Sequence, residues 1–147
     1  MSKSNEKREP LFLDANIFID ILQKRSGWQN SLAIITAINT KKLKGCVSAL
    51  SVAIIHYVWK RQASGRQARQ DIKSIIESFD ILAITSDHVY SSLDEDGLFT
   101  DFEDALQFHS ARGTAGAIIT RNKRHYSKVA NEIQVLTPEE FLKKYDV

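Results

Sequence analysis

The chain of 147 residues has one cysteine, two prolines and no apolar run near bilayer length. Each shortage excludes something. Cys46 alone can form neither an intrachain disulfide nor a zinc cluster, which removes disulfide scaffolds and zinc fingers and points to a reducing, cytoplasmic setting. A membrane span needs roughly 20 apolar residues in a row, so no membrane partner is expected. A strong charge of either sign is also missing. Twenty Lys and Arg face 18 Asp and Glu, giving a net charge of +2 and a pI near 8.7, too mild to name a partner. Internal repeats and low-complexity stretches are absent. No glycine-rich turn follows the first apolar run, which argues against a dinucleotide site. The opening residues, MSKSNEKREP, hold no apolar stretch. They are expected to form a solvated arm over 1–9 rather than a secretory signal.

What is present describes a soluble globule with a full core, 43% hydrophobic and 26% charged, expected to form a single domain over 10–147. Short apolar runs alternate with helical periods. Strands are predicted at 11–13, 45–47, 79–84, 117–120 and 133–136. Helices are predicted at 16–24 (closed by Gly27), 28–42, from a Ser48 cap through Val58, 64–78, 85–92 and 102–112, where Gly113 stops the last. Asp94 to Gly97 reads as a loop. Thr137, Pro138 and Glu140 open a final helix with a capping box. This alternation predicts an α/β fold, a parallel sheet of about five strands covered by helices on both faces.

In such sheets ligands bind beyond the carboxyl ends of the strands. Asp14 and the turn Thr120-Arg121-Asn122 fall there. Asp101 and Asp104, three apart at a helix start, share a face. Asp14, Asp101 and Asp104 are therefore expected to converge on one site. Three such carboxylates repel unless a cation lies between them, and hard divalent cations take oxygen ligands. Each segment also has a plainer reading. Asp14 can cap a helix, Thr100-x-x-Glu103 is a capping box with Asp101 on the favourable end of the helix dipole, and Asn122 suits a turn. The basic run from Lys60 to Lys73, with Arg66 and Arg69, is either a solvated helix face or a track for RNA phosphates. His56, His88 and His109 have no metal spacing. Trp28 and Trp59 read as core or partner-facing.

The ordered set Leu13-Asp14-Ala15-Asn16-Ile17, Ser48-Ala49-Leu50-Ser51-Val52-Ala53, Thr100-Asp101-Phe102-Glu103-Asp104-Ala105-Leu106-Gln107, Ile119-Thr120-Arg121-Asn122-Lys123 and Leu136-Thr137-Pro138-Glu139-Glu140-Phe141 resembles the PIN domain family. The likeness is greatest to the VapC-like toxins of bacterial toxin–antitoxin pairs, and it runs from Leu11 across essentially the whole chain. The resemblance implies a PIN-like three-layer fold, an endoribonuclease dependent on Mg2+ or Mn2+, a homodimer, and an antitoxin protein that blocks the site. It makes Asp14, Asp101 and Asp104 metal carboxylates and turns Asn122 toward the ions or RNA. Arg121, Lys123 and Arg124 would then pair with flanking phosphates. Two positions depart from the pattern. Ile54 stands where such proteins place a glutamate, and is expected to face the carboxylate cavity. His125, before Tyr126, stands where an aspartate is common.

A ribonuclease is therefore the expected function, and a PIN-like module that binds RNA or a protein without cutting is the alternative that Ile54 and His125 favour. Phosphotransfer through Asp14 as nucleophile is weaker, because Asn16 occupies the position where a second acid is wanted.

Overall fold

The computed structural model describes residues 9–94 and 97–147. All but Glu9 of the arm expected at 1–9, and two residues of the loop expected at 94–97, lie outside the described residues. No helix among the described residues is long and apolar enough to cross a membrane.

Five parallel strands form one sheet in the order β3-β2-β1-β4-β5: β1 Leu11–Leu13, β2 Gly45–Ser48, β3 Asp80–Leu82, β4 Ala117–Ile119 and β5 Gln134–Leu136. The helices between them are α1 Ala15–Gln23, α2 Trp28–Asn39, α3 Ala49–Trp59, α4 Gly65–Ile75, α5 Ser86–Asp94, α6 Phe102–Ala111 and α7 Pro138–Lys144. Side chains alternate across the sheet, and the core divides accordingly. Leu11, Leu13, Val47, Ala117, Ile119 and Leu136 join one apolar cluster with α1, α2, α3 and α7. Phe12, Cys46, Ile118 and Val135 join a second cluster with Phe108 and Ala111 of α6 and with Tyr126 and Val129. The result is the expected three layers. Parallel strands buried on both faces need continuous apolar runs, and β1 and β4 are buried at every residue. Cys46 is fully buried in β2, and burial pushes its thiol up to about 12, with the charge of Asp80 adding to the effect.

Several local expectations change. Gly27 does not close α1. Lys24, with φ 50°, turns the chain out of that helix, and Gly27, with φ 82°, starts α2. A side chain at Gly27 would be strained by that φ, and its Cβ would lie 2.8 Å from the Arg121 guanidinium. Helix α6 is capped by Asp101, whose carboxylate accepts the Glu103 N–H at 2.8 Å, so Thr100 is not the cap. A 3-10 helix over Lys123–Val129, unforeseen in the sequence, follows β4. Ser48 and the Thr137–Glu140 capping box are as expected.

Strands β2 and β3 extend the sheet to one side of β1, while β4 and β5 extend it to the other. The chain reverses direction of growth between β1 and β4. In open parallel sheets that reversal leaves a crevice at the strands' carboxyl ends. Asp14 follows β1 and Thr120 follows β4, so both lie at that edge of the sheet, joined by a 2.8 Å hydrogen bond.

Candidate active site

Asp14 is held from several sides. Its backbone N–H donates to the Ile119 carbonyl at 3.0 Å, fixing it to β4. One carboxylate oxygen accepts the Ala15 N–H at 2.8 Å, capping α1. The other accepts the Thr120 hydroxyl at 2.8 Å, and the Tyr126 hydroxyl and Asn16 amide at 3.4 Å each. The capping and functional readings of Asp14 are thus compatible. Only 7% of the residue is exposed, and burial raises its pKa against the pull of those hydrogen bonds and of His125.

Asp104 lies in the first turn of α6, its side chain 14% exposed, with His125 Nδ1 2.9 Å from one oxygen. Its pKa is raised to about 6, by burial first and then by the charges of Asp14 and Asp101, while His125 opposes the rise. Asp104 is therefore the centre of the acidic group. Asp101, exposed at the cap, is the outermost member. Tyr126 is fully buried behind the carboxylates, and burial together with the charges of Asp14 and Asp104 pushes its phenol upward.

Asp101 and Asp104 line a cavity of ≈480 Å³ whose other walls include Thr100, Arg124, His125 and Lys128. A larger groove of ≈780 Å³ lies between α3, α4 and β3, but it is floored by Val52, Ile72, Ile76 and Phe79 and holds no carboxylate cluster. The smaller cavity is the one in which two carboxylates meet cationic side chains, the kind of surroundings in which functional groups are found.

The expected phosphate contacts divide. Arg121 is turned inward, donating to Asp20 at 2.6 Å, to the Gly27 carbonyl at 2.8 Å, to Ser31 at 3.1 Å and to Glu139. A guanidinium has five N–H donors, so this one has little left for a phosphate. Lys123 reaches Glu140 at 3.0 Å across an exposed surface, and Arg124 is exposed on the cavity wall. Asn122 is exposed in an adjoining recess with Lys123, Arg124 and His125, its N–H held by the Thr120 hydroxyl at 3.1 Å. Arg66 and Arg69 are exposed on α4, and Arg69 borders the apolar groove instead of the acidic cavity. Ile54 packs against the larger core cluster and is not among the residues lining the acidic cavity.

Two groups were missed in the sequence. Ser48 donates to Gln107 Oε1 at 2.5 Å and Gln107 Nε2 donates to Ser51 at 2.7 Å, a buried link between α3 and the helix carrying Asp104. Tyr126 is the other. Gln107, three residues past Asp104 on an otherwise apolar helix face, was the available signal for the first.

Among the described residues, no three His, Cys, Asp or Glu side chains are close enough to enclose an ion on their own. The three carboxylates thus do not form a closed cage. A hydrated hard cation needs no such cage, because magnesium typically takes one or two carboxylates and keeps several waters.

Without metal, the raised pKa of Asp104 has a consequence for stability. The folded protein takes up this proton near pH 6, whereas an unfolded aspartate does so near its usual 3.8. Stability from this group is therefore present below about pH 4 and lost as pH rises through about 6. In EDTA, the melting temperature of the wild type should fall relative to Asp104→Asn over that window. Parallel curves would mean that Asp104 is not under charge stress.

The PIN domain family matches residues 10–124, and the chain belongs to that family. Among solved structures, a toxin–antitoxin complex from Klebsiella pneumoniae superposes with a TM-score of 0.63 at 22% identity, covering 88% of this chain and 97% of that one. VapBC from Salmonella typhimurium, crystallised with DNA, gives 0.64 at 12% identity, covering 88% and 98%. VapBC2 from Rickettsia felis, bound to a promoter DNA fragment, gives 0.57 at 18% identity, covering 86% and 96%. At these identities the likeness establishes the fold. No curated protein matches the chain.

Proposed function

We propose that this chain is a Mg2+- or Mn2+-dependent endoribonuclease and the toxin of a toxin–antitoxin pair. The observation that carries the proposal is the placing of Asp104, a half-hidden carboxylate that lines a cavity with Asp101, Arg124 and Lys128 and feels the charge of the buried Asp14. Mutual repulsion of this kind is relieved by a divalent cation. Asp14 and Asp104 would hold the ion, which when bound supplies an activated water and neutralises charge building on a phosphodiester. Asp101, at the mouth, would orient a ligand water. Arg124 and Lys123 would draw in the flanking phosphates, and Asn122 would meet the RNA from its recess. Arg121, Arg66 and Arg69 lie outside this footprint.

Family membership and the toxin–antitoxin neighbours support an antitoxin partner. A second copy of the chain is supported by Tyr90 and Leu93 on α5 and Phe102 at the start of α6, large apolar side chains left exposed. The buried, unreactive Cys46 is consistent with a reducing cytoplasm. Ile54, packed against the core where similar proteins offer a glutamate, favours the second reading, a module that binds RNA without cutting it.

Cleavage of a defined RNA with Mn2+, and its loss in EDTA, separates the two. Binding without cleavage at any metal concentration would select the second. Under either reading, Lys123→Glu and Arg124→Glu should weaken RNA binding, each lowering the log–log salt slope by roughly 0.7 for a single strand. Arg66→Glu should leave the slope unchanged. An unchanged slope in the Lys123 and Arg124 variants would remove the phosphate contacts from this rim.

A further inference from the structure

The basic side chain that meets Asp104 within ion-pair distance is His125, which stands where similar proteins commonly place an aspartate. We propose that His125 supplies a nitrogen ligand to the ion that Asp104 would hold, and so shifts the preference of the site from Mg2+ toward transition ions. The inference rests on the proposed metal site and deepens it by choosing between the two ions.

The geometry is that of a ligand pair. His125 Nδ1 lies 2.9 Å from an Asp104 carboxylate oxygen. Two donors on adjacent positions of an octahedral ion, each at about 2.1 Å, stand about 3 Å apart, so the separation is already present. The two side chains come from different elements, Asp104 from α6 and His125 from the 3-10 helix after β4. Both line the acidic cavity, and His125 also lines the recess that holds Asn122. The backbone on either side of the imidazole is fixed. The His125 N–H donates to the Asn122 carbonyl at 2.9 Å, and the next residue, Tyr126, is fully buried. The His125 side chain is nevertheless 41% exposed, so an ion and its waters can reach it.

The kind of partner matters as much as its distance. Asp20 is paired with Arg121, and a guanidinium has no acceptor with which to hold a cation. An imidazole is the basic side chain that is also a common metal ligand. In place of the hard oxygen and negative charge of an aspartate, it offers a softer nitrogen and no charge when it ligates. Mg2+ favours oxygen and gains little from that exchange. Nitrogen sites bind more tightly along the series Mn2+, Co2+, Ni2+, so His125 favours those ions over Mg2+.

The test uses the untagged full-length chain, freed of metal with EDTA and then dialysed. Calorimetry gives the affinities of wild type, His125→Ala and His125→Asp for Mg2+, Mn2+, Co2+ and Ni2+, and pulsed EPR of bound Mn2+ reports nitrogen coordination. Wild type should tighten from Mg2+ to Ni2+ and show nitrogen hyperfine coupling on Mn2+. Both variants should lose the coupling, and their ratio of Ni2+ to Mg2+ affinity should fall about 10-fold. His125→Asp should also bind Mg2+ more tightly than wild type, because it adds a hard, charged ligand. His125→Ala should melt close to wild type in EDTA, since the side chain is half exposed. If His125 does no more than hydrogen-bond Asp104, His125→Ala weakens every ion by one common factor and wild type shows no nitrogen coupling. That result overturns the inference and leaves the nuclease proposal standing. Coupling that persists in both variants assigns the nitrogen to another residue and overturns it as well. A wild type that binds none of these ions overturns the metal site and the inference together.

Discussion

Asp104→Asn should abolish RNA cleavage, by a factor on the order of 10³ or more, and should at the same time make the metal-free protein more stable at neutral pH. Both effects have one cause. Asp104 is held beside two other carboxylates in a half-buried position, and its pKa is raised to about 6 by burial and their charge. Asparagine keeps the shape and removes the charge, so the repulsion disappears along with the means of holding a cation. A substitution that only damaged the fold would lower both quantities. Asp14→Asn should lose activity equally but gain less stability, since Asp14 is hydrogen-bonded to Ala15, Thr120 and Tyr126, and an amide nitrogen cannot accept those bonds. Cleavage by Asp104→Asn protein at the wild-type rate would assign the activity to a contaminant.

The largest stability effect is expected at a residue with no place in the chemistry. Arg121 ties α1, the Gly27 turn, α2 and α7 together through Asp20, the Gly27 carbonyl, Ser31 and Glu139. Asp20 is only 3% exposed. Arg121→Ala would leave that carboxylate buried with the Ser31 hydroxyl as its remaining partner, at 3.3 Å. Breaking one side of a buried ion pair costs about 3–5 kcal/mol. For a chain of this size the melting temperature should fall by roughly 10 °C. Removing the charge on both sides, as Arg121→Met with Asp20→Leu, should recover much of the loss, because no unpaired charge is left behind. If Arg121→Ala melts within a degree or two of wild type, the guanidinium is free in solution and belongs with the RNA-facing cations after all.

Arg121 also shows where the sequence misleads. A basic turn after a strand reads as a phosphate contact, and nothing local indicates otherwise. Its partners are 101 residues back at Asp20 and 18 ahead at Glu139. Asp14 and Asp104 were legible for the opposite reason, since strand ends and helix starts are visible locally and a parallel sheet gathers them at one edge. The Tyr126–Asp14 bond spans 112 positions and the Ser48–Gln107 bond spans 59, distances over which a single sequence has no periodicity to read. The 3-10 helix left a fainter mark. Its buried residues, Tyr126 and Val129, are three apart, the repeat of that helix, but the segment is too short and too basic to stand out. Ile54 was placed by analogy of position alone, and it packs against the core because its apolar side chain gains more there than beside carboxylates.

The most direct measurement is a calorimetric titration of Mn2+ into metal-free wild type and Asp104→Asn at neutral pH. The expected result is saturable binding to the wild type, accompanied by a rise in melting temperature, and at least 10-fold weaker binding to the variant. Equal affinity for the two proteins, or no binding to the wild type, would contradict a cation site built on Asp14 and Asp104.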